Sequence, residues 1–237
     1  MKTVIIYGAE HKGSTYNAVQ SFKNQLDICD EELTEYFLPN DMPHFCIGCN
    51  NCFMKGEGLC PHQNYITPIK NAMQNAELLI FASPVYVFHV TGQMKALLDH
   101  FAFQFMAHRP NGSMFSKTAL IIAIGAGGGM DTAIKDVSTS LSWWGISRIY
   151  TFAFASRASK WDEVTEQNRQ ILENKIRKIT FKIKSKINNP KTGLNIRFLF
   201  FINRMMQIKF GYIPYDKEYW NKNGWLGKNR PWKANNR

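Results

Sequence analysis

Short β-branched apolar runs alternate with helical patterns through the first two-thirds of this 237-residue chain, and that alternation leaves few folds open. Consecutive parallel strands need a crossover, usually a helix, so a strand–helix repeat builds a parallel sheet. Val4–Tyr7 reads as the first strand, followed by a helix from about Thr15 to Ile28. Thr34–Leu38 is a short second strand, and Tyr65–Asn75 is a helix with Ile66, Ile69 and Met73 on one face. Leu78–Ala82 is a third strand, stopped by Ser83-Pro84 and followed by a helix from about Thr91 to Phe105. Ala119–Ile124 and Ile149–Phe154 are the fourth and fifth, separated by a helix running to about Trp143. The pattern specifies an α/β fold, a doubly wound five-stranded parallel sheet of order 2-1-3-4-5. Its ligand crevice belongs at the carboxyl ends of strands 1, 3 and 4.

Ser159-x-x-Asp162 resembles a capping box opening a long helix that carries Leu172, Ile176, Ile179, Ile183 and Ile187 at helical spacing, with Asn189-Pro190 ending it. A second amphipathic stretch spans Leu194–Phe210, and an aromatic, polar tail follows. The domain division is therefore 1–188, with a cysteine-rich insertion at 40–64, and a basic, aromatic C-terminal extension, 189–237. The net charge of +11 belongs to the tail: from Arg177 onward, fifteen Lys and Arg face only Asp216 and Glu218. No apolar run approaches the ~20 residues of a membrane span, and the N-terminus reads as a strand rather than a secretory leader. The expected location is the cytoplasm, where the five cysteines serve as thiols or metal ligands.

Strand 1 ends at Gly8, and Ala9-Glu10-His11-Lys12-Gly13-Ser14-Thr15 leads into the first helix. A phosphate here would meet backbone amides, a positive helix end and two hydroxyls. The alternative is that Ser14 and Thr15 merely cap the helix. Neither G-x-x-x-x-G-K-[ST] nor G-x-G-x-x-G occurs at this turn, which disfavours nucleoside triphosphatases and the dinucleotide fold. After strand 3, Ser83-Pro84-Val85-Tyr86-Val87 suits one wall for a flat ring system, with backbone amides available to a flavin's pyrimidine edge. After strand 4, Gly125-Ala126-Gly127-Gly128-Gly129 has four glycines in five positions, consistent with close ligand approach or with a surface loop.

These loops, together with Cys46-Ile47-Gly48-Cys49 through Cys60 and Thr91-Gly92-Gln93-Met94-Lys95 with Asp99, resemble the NADPH-dependent FMN reductase family, in particular its iron–sulfur flavoprotein branch, over roughly residues 1–155. The resemblance implies a flavodoxin-like fold, non-covalent FMN and a homodimer or homotetramer. It assigns phosphate contacts to His11, Gly13, Ser14 and Thr15. It sets the isoalloxazine ring near Pro84, Val85, Tyr86 and Val87, and against Gly125, Gly127 and Gly128.

Cys46-x2-Cys49-x2-Cys52-x7-Cys60 lets three thiolates converge on one centre with a fourth arriving after a turn. An iron–sulfur cluster exchanges single electrons over potentials of roughly −700 to +450 mV, which would couple it to a flavin. Structural zinc, a redox-active disulfide or reactive thiol, and a loop that no longer assembles a cluster are the competing readings. Relatives usually carry acidic residues after the fourth cysteine, where this chain has His62-Gln63-Asn64. Cys29 reads as a buried small apolar residue.

The expected function is an FMN-dependent oxidoreductase with a [4Fe–4S] cluster on Cys46, Cys49, Cys52 and Cys60, drawing electrons from NAD(P)H or a protein donor. The acceptor is a redox partner protein or a small molecule, and no side chain need act as a covalent catalyst because the flavin carries the chemistry. The alternatives are an NAD(P)H-dependent FMN or quinone reductase without a cluster, a non-enzymatic electron carrier, and a zinc-stabilised binding module. The tail is expected to pack on the domain or a partner subunit, in preference to a membrane surface or nucleic acid.

Overall fold

The computed structural model describes residues 1–189 and 191–236. Five parallel strands, β1 (Thr3–Tyr7), β2 (Leu33–Phe37), β3 (Leu78–Pro84), β4 (Thr118–Gly125) and β5 (Arg148–Ala155), form one sheet in the order β2-β1-β3-β4-β5, as the sequence pattern requires. The helices are α1 (Ser14–Leu26), α2 (Asn51–Met54), α3 (Gln63–Asn75), α4 (Gly92–His100), α5 (Met130–Trp143), α6 (Glu166–Lys184), α7 (Leu194–Lys209) and α8 (Pro214–Lys222).

Because side chains alternate across a strand, each central strand feeds two cores. Val4, Ile6, Leu79, Phe81 and Ile121 pack with α3, α4 and α5 through Ile69, Leu97 and Leu141. Ile5, Tyr7, Ile80, Leu120 and Ile122 face the opposite way, against Val19 and Phe22 of α1 and Leu172 and Ile176 of α6. A third cluster joins Met106 and Phe115 to Ile196, Phe200, Trp220 and Trp225, so one side of the C-terminal extension is seated on the sheet domain.

Several expectations shift. The helix after β3 stops at His100 instead of continuing to Phe105, because the chain turns through a short 3-10 segment, Ala102–Gln104, that buries Phe101 and Phe103. Ser159 does not open the long helix. Residues Trp161–Glu163 form a 3-10 turn, in which the Glu163 carboxylate accepts the Lys160 N–H at 3.1 Å, and α6 starts after Thr165, whose hydroxyl accepts the Asn168 N–H at 3.3 Å. Cys29 is exposed rather than buried, its Sγ 3.5 Å from the Glu32 carboxylate. Pro190, expected to end the long helix, lies outside the described residues.

Candidate functional site

The carboxyl ends of β1, β3 and β4 open on a cleft of about 660 Å³. A buried hydroxyl pair, Thr91 and Ser83, ties the end of β1 to β3 and the start of α4. Thr91 Oγ1 donates to the Gly8 carbonyl at 2.6 Å and accepts the Met94 N–H at 3.2 Å, capping α4. Ser83 Oγ accepts the Thr91 N–H at 3.2 Å. A Cβ on Gly8 would lie 2.9 Å from Thr91 Oγ1 and 3.0 Å from Ser83 Oγ, so glycine is required by packing at this point.

At the mouth, α1 begins with Gly13 as its N-cap, and no side chain caps it. The first helical bond is the Asn17 N–H to the Gly13 carbonyl at 3.1 Å. The hydroxyls of Ser14 and Thr15 are therefore not spent on capping, and both residues line the cleft with His11, Lys12 and Gly13. The first turn carries no acidic residue. The result is an electropositive helix end with free amides and two hydroxyls, an arrangement suited to an anion.

Pro84, Val85, Tyr86 and Gly125 form the facing wall. Val85 N–H bonds the Ile124 carbonyl at 2.8 Å, holding the two loops together. Val87 does not line the cleft. It sits with Phe88 at the tip of a two-residue turn closed by paired Tyr86–His89 backbone bonds of 2.9 and 3.0 Å, both residues at positive φ and both exposed. His89 Nδ1, 2.9 Å from the Asp136 carboxylate, anchors that turn to α5. Gly127 and Gly128 also lie outside the lining. The tightest glycine of this loop is Gly129, at φ +87°, where a Cβ would meet Phe88 Cα at 2.6 Å. Its small size serves the approach of two loops to each other.

Sequence reasoning missed the far wall, the segment after β5 that includes Ser156, Ser159, Lys160, Trp161 and Asp162. Ser156 N–H bonds the Gly125 carbonyl at 2.8 Å and Arg157 N–H bonds the Ala126 carbonyl at 3.0 Å, which brings this loop onto the glycine loop. Arg169 stacks over the Trp161 ring at 4.8 Å and donates to the Trp161 carbonyl at 2.9 Å. The Ser-x-x-Asp spacing was the visible signal, and it was absorbed by a capping reading.

The four clustered cysteines line a second cavity of about 300 Å³, together with Phe53 and His100. Gly48 and Asn50, both at positive φ, wrap the loop around it. Cys46 and Cys49 are exposed, whereas Cys52 and Cys60 are half-buried. Burial pushes the Cys52 thiol up, with the neighbouring Cys60 and Cys46 adding to the shift and Arg109 opposing it. Burial likewise raises the Cys60 thiol, against a backbone hydrogen bond at His62 and with added repulsion from Cys49 and Cys46. Among the described residues, the set of three metal-type ligand atoms within 4.8 Å of one another is Cys60, His62 and His100.

A buried ion pair braces this loop from the C-terminal extension. Arg109 donates to the carboxylate of Asp216, on α8, and to the carbonyls of Cys52 and Phe53. Side-chain exposure is 3% for Arg109 and 2% for Asp216. His108 Nδ1 lies 2.7 Å from the other Asp216 oxygen, and Tyr215 stacks under the guanidinium at 4.7 Å. At Gly56, φ +109°, a Cβ would lie 2.7 Å from the Tyr215 hydroxyl. Helix α4 runs from the end of β1 to the cysteine cavity: Thr91 at its N-cap bonds the Gly8 carbonyl, Asp99 and His100 at its other end line that cavity, and nine residues at 1.5 Å each make it about 13 Å long.

The sequence profile of NADPH-dependent FMN reductases matches residues 1–160. An iron–sulfur flavoprotein of Archaeoglobus fulgidus is 28% identical over 148 residues, covering 62% of this chain and 64% of that protein, so the chain spans less than two-thirds of that relative. An iron–sulfur flavoprotein of Methanocaldococcus jannaschii is 35% identical over 142 residues, 58% of this chain and 69% of its own length. In structure, the chain is similar to an FMN-dependent NADH-azoreductase of Bacillus anthracis in complex with FMN, with a TM-score of 0.55, 13% identity, and coverage of 76% of this chain and 100% of that one. At that identity the similarity is one of fold.

Proposed function

Because the chain belongs to the NADPH-dependent FMN reductase family, we propose that it is an FMN-dependent oxidoreductase that draws electrons from NAD(P)H or a protein donor and whose cysteine loop holds a [4Fe–4S] cluster. The acceptor is a redox partner protein or a small molecule, the working form is a homodimer or homotetramer, and the compartment is a reducing cytoplasm. The observation that carries the flavin half is the uncapped, acid-free N-terminus of α1 at the mouth of a cleft of about 660 Å³. That volume falls within the range of small-molecule sites, about 300–1,000 Å³.

Ser14 and Thr15, with the first-turn amides, would hold the phosphate, Lys12 would add positive charge and His11 a ring N–H donor. Pro84, Val85 and Tyr86 would flank the ring on one side, with Gly125 leaving room beside them. Trp161, held by Arg169, would close the far side and exclude water. Val87, Gly127 and Gly128 lie outside the lining and are given no ring contact. Cys46, Cys49, Cys52 and Cys60 would ligate the cluster, with Arg109 holding the Cys52 carbonyl in place. Bound in these sites, FMN supplies hydride and electron chemistry and the iron–sulfur centre supplies one-electron chemistry. The protein contributes binding, orientation and the local field.

Anaerobic purification followed by visible absorbance, flavin extraction and iron and sulfide analysis tests this reading. One FMN per chain with four irons and four sulfides is the expected result. Flavin with metal-free thiols would leave a simple FMN or quinone reductase, and stoichiometric zinc would favour a structural loop. Holoprotein that fails to oxidise NAD(P)H would reduce the assignment to an electron carrier.

A further inference from the structure

Helix α7 lies beyond the residues matched by the family, and its polarity is reversed for a surface helix. Its seated side carries Ile196, Phe200, Asn203 and Gln207. Two of these four are amides, and each donates to backbone: Asn203 to the Leu199 carbonyl at 2.9 Å and Gln207 to the Ala107 carbonyl at 2.8 Å. The opposite side presents Leu194, Phe198, Phe201, Ile202 and Met205 to solvent, with exposures of 81, 68, 42, 44 and 52%. The i, i+4, i+7, i+8, i+11 spacing places all five on one stripe. Beyond the helix, Phe210 and Tyr212 stack at 5.5 Å and are 48 and 80% exposed, extending the same apolar character. A contiguous stripe of this kind marks a surface that something covers.

We infer that the outward stripe of α7 docks this protein onto an anionic lipid bilayer. Charge selects the occupant. Between Arg177 and Arg237 fifteen Lys and Arg accompany two acidic residues. One of those two, Asp216, is buried against Arg109 and His108 and offers nothing outward. Exposed Lys191 precedes the stripe and exposed Lys209 closes it. A second copy meeting the first through this face would set two strongly basic segments against each other, and like-charge juxtaposition opposes association. An anionic surface supplies both an apolar layer for the stripe and negative headgroups for its flanks. The phosphates of nucleic acid would answer the charge but leave the phenylalanines uncovered. With 16 residues, α7 is about 24 Å long, and no helix among the described residues is long and apolar enough to cross a membrane. The helix therefore lies in the plane of the interface.

The test is co-sedimentation of the full-length holoprotein with vesicles of phosphatidylcholine containing 30% phosphatidylglycerol (a composition chosen on the order of anionic content that attracts basic segments), against phosphatidylcholine alone. The expected result is binding to the anionic vesicles at least about ten-fold tighter than to neutral ones, weakened by salt. Phe198→Glu/Met205→Glu should abolish it without changing flavin content or the thermal melt, since both side chains point to solvent. Lys191→Glu/Lys209→Glu should weaken it while leaving the apolar stripe intact. Failure of the wild type to sediment with anionic vesicles overturns the inference, as does undiminished binding by the double glutamate variant. So does a homo-oligomer that the same glutamates dissociate, seen by analytical ultracentrifugation, because the stripe would then be an interface between copies. Each of these outcomes is independent of whether the cysteine loop holds a cluster.

Discussion

Replacing Asp216 with alanine should loosen the cysteine loop from a distance of more than 150 residues along the chain. The carboxylate is 2% exposed and answers a guanidinium that is 3% exposed. Removing it leaves Arg109 buried with its carbonyl acceptors and with Glu57, whose carboxylate is 3.6 Å away but 31% exposed. Breaking one side of a buried pair costs about 3–5 kcal/mol, and the remaining Glu57 contact argues for the lower end, about 3 kcal/mol. For a chain of this size each kcal/mol moves the melting temperature by about 2–4 °C, so a fall of about 6–12 °C is expected. Thermal melts by circular dichroism, with urea titration for the free energy, measure it. Asp216→Leu/Arg109→Met removes both charges and should recover much of the loss, which a double-mutant cycle reports as a coupling above about 1.5 kcal/mol. A loss under about 1 kcal/mol for Asp216→Ala, or strictly additive effects in the cycle, would refute the reasoning, because neither is compatible with an uncompensated buried charge.

Ser14→Ala and Thr15→Ala should each weaken FMN binding about ten-fold or more, the equivalent of one lost charge-assisted hydrogen bond, and flavin fluorescence titration reads this directly. In the metal-free protein Cys52 and Cys60, whose thiols burial pushes up, should alkylate more slowly at pH 8 than a free thiol does; loading the centre should protect all four clustered cysteines and leave exposed Cys29 reactive, as peptide mass spectrometry would show. Burial pulls Lys117 down to about 8, although its ammonium donates to the Gln74 carbonyl at 2.8 Å and to that of Ala76. Between that value and the ordinary lysine value of 10.5 the unfolded chain holds the extra proton, so stability rises with pH across this window and is flat below it. The stability of the wild type relative to Lys117→Met should therefore climb by up to about 3 kcal/mol from pH 8 to 10.5, measured by urea unfolding; a difference independent of pH would show that the two carbonyls hold the lysine charged.

Local periodicity decided a great deal by itself. The apolar strand runs and their helical crossovers specify the 2-1-3-4-5 sheet, because a right-handed crossover and two buried faces leave little topological freedom. The same pattern located the ends of β1, β3 and β4, and so brought His11, Gly13, Ser14, Thr15, Pro84, Val85, Tyr86 and Gly125 to one cleft. Spacing alone gathered four cysteines around one cavity. Periodicity states which face of an element is buried and says nothing of what buries it. Only the tertiary structure could bring Trp161 and its loop across the cleft, turn the glycine loop's tightest contact toward Phe88, or leave Cys29 in solvent. It alone paired Arg109 with Asp216, and it alone showed that α7 seats its amides inward and leaves its phenylalanines out. Those features depend on partners far apart in the chain, chosen by whichever surfaces remain uncovered once the sheet and its crossovers have formed.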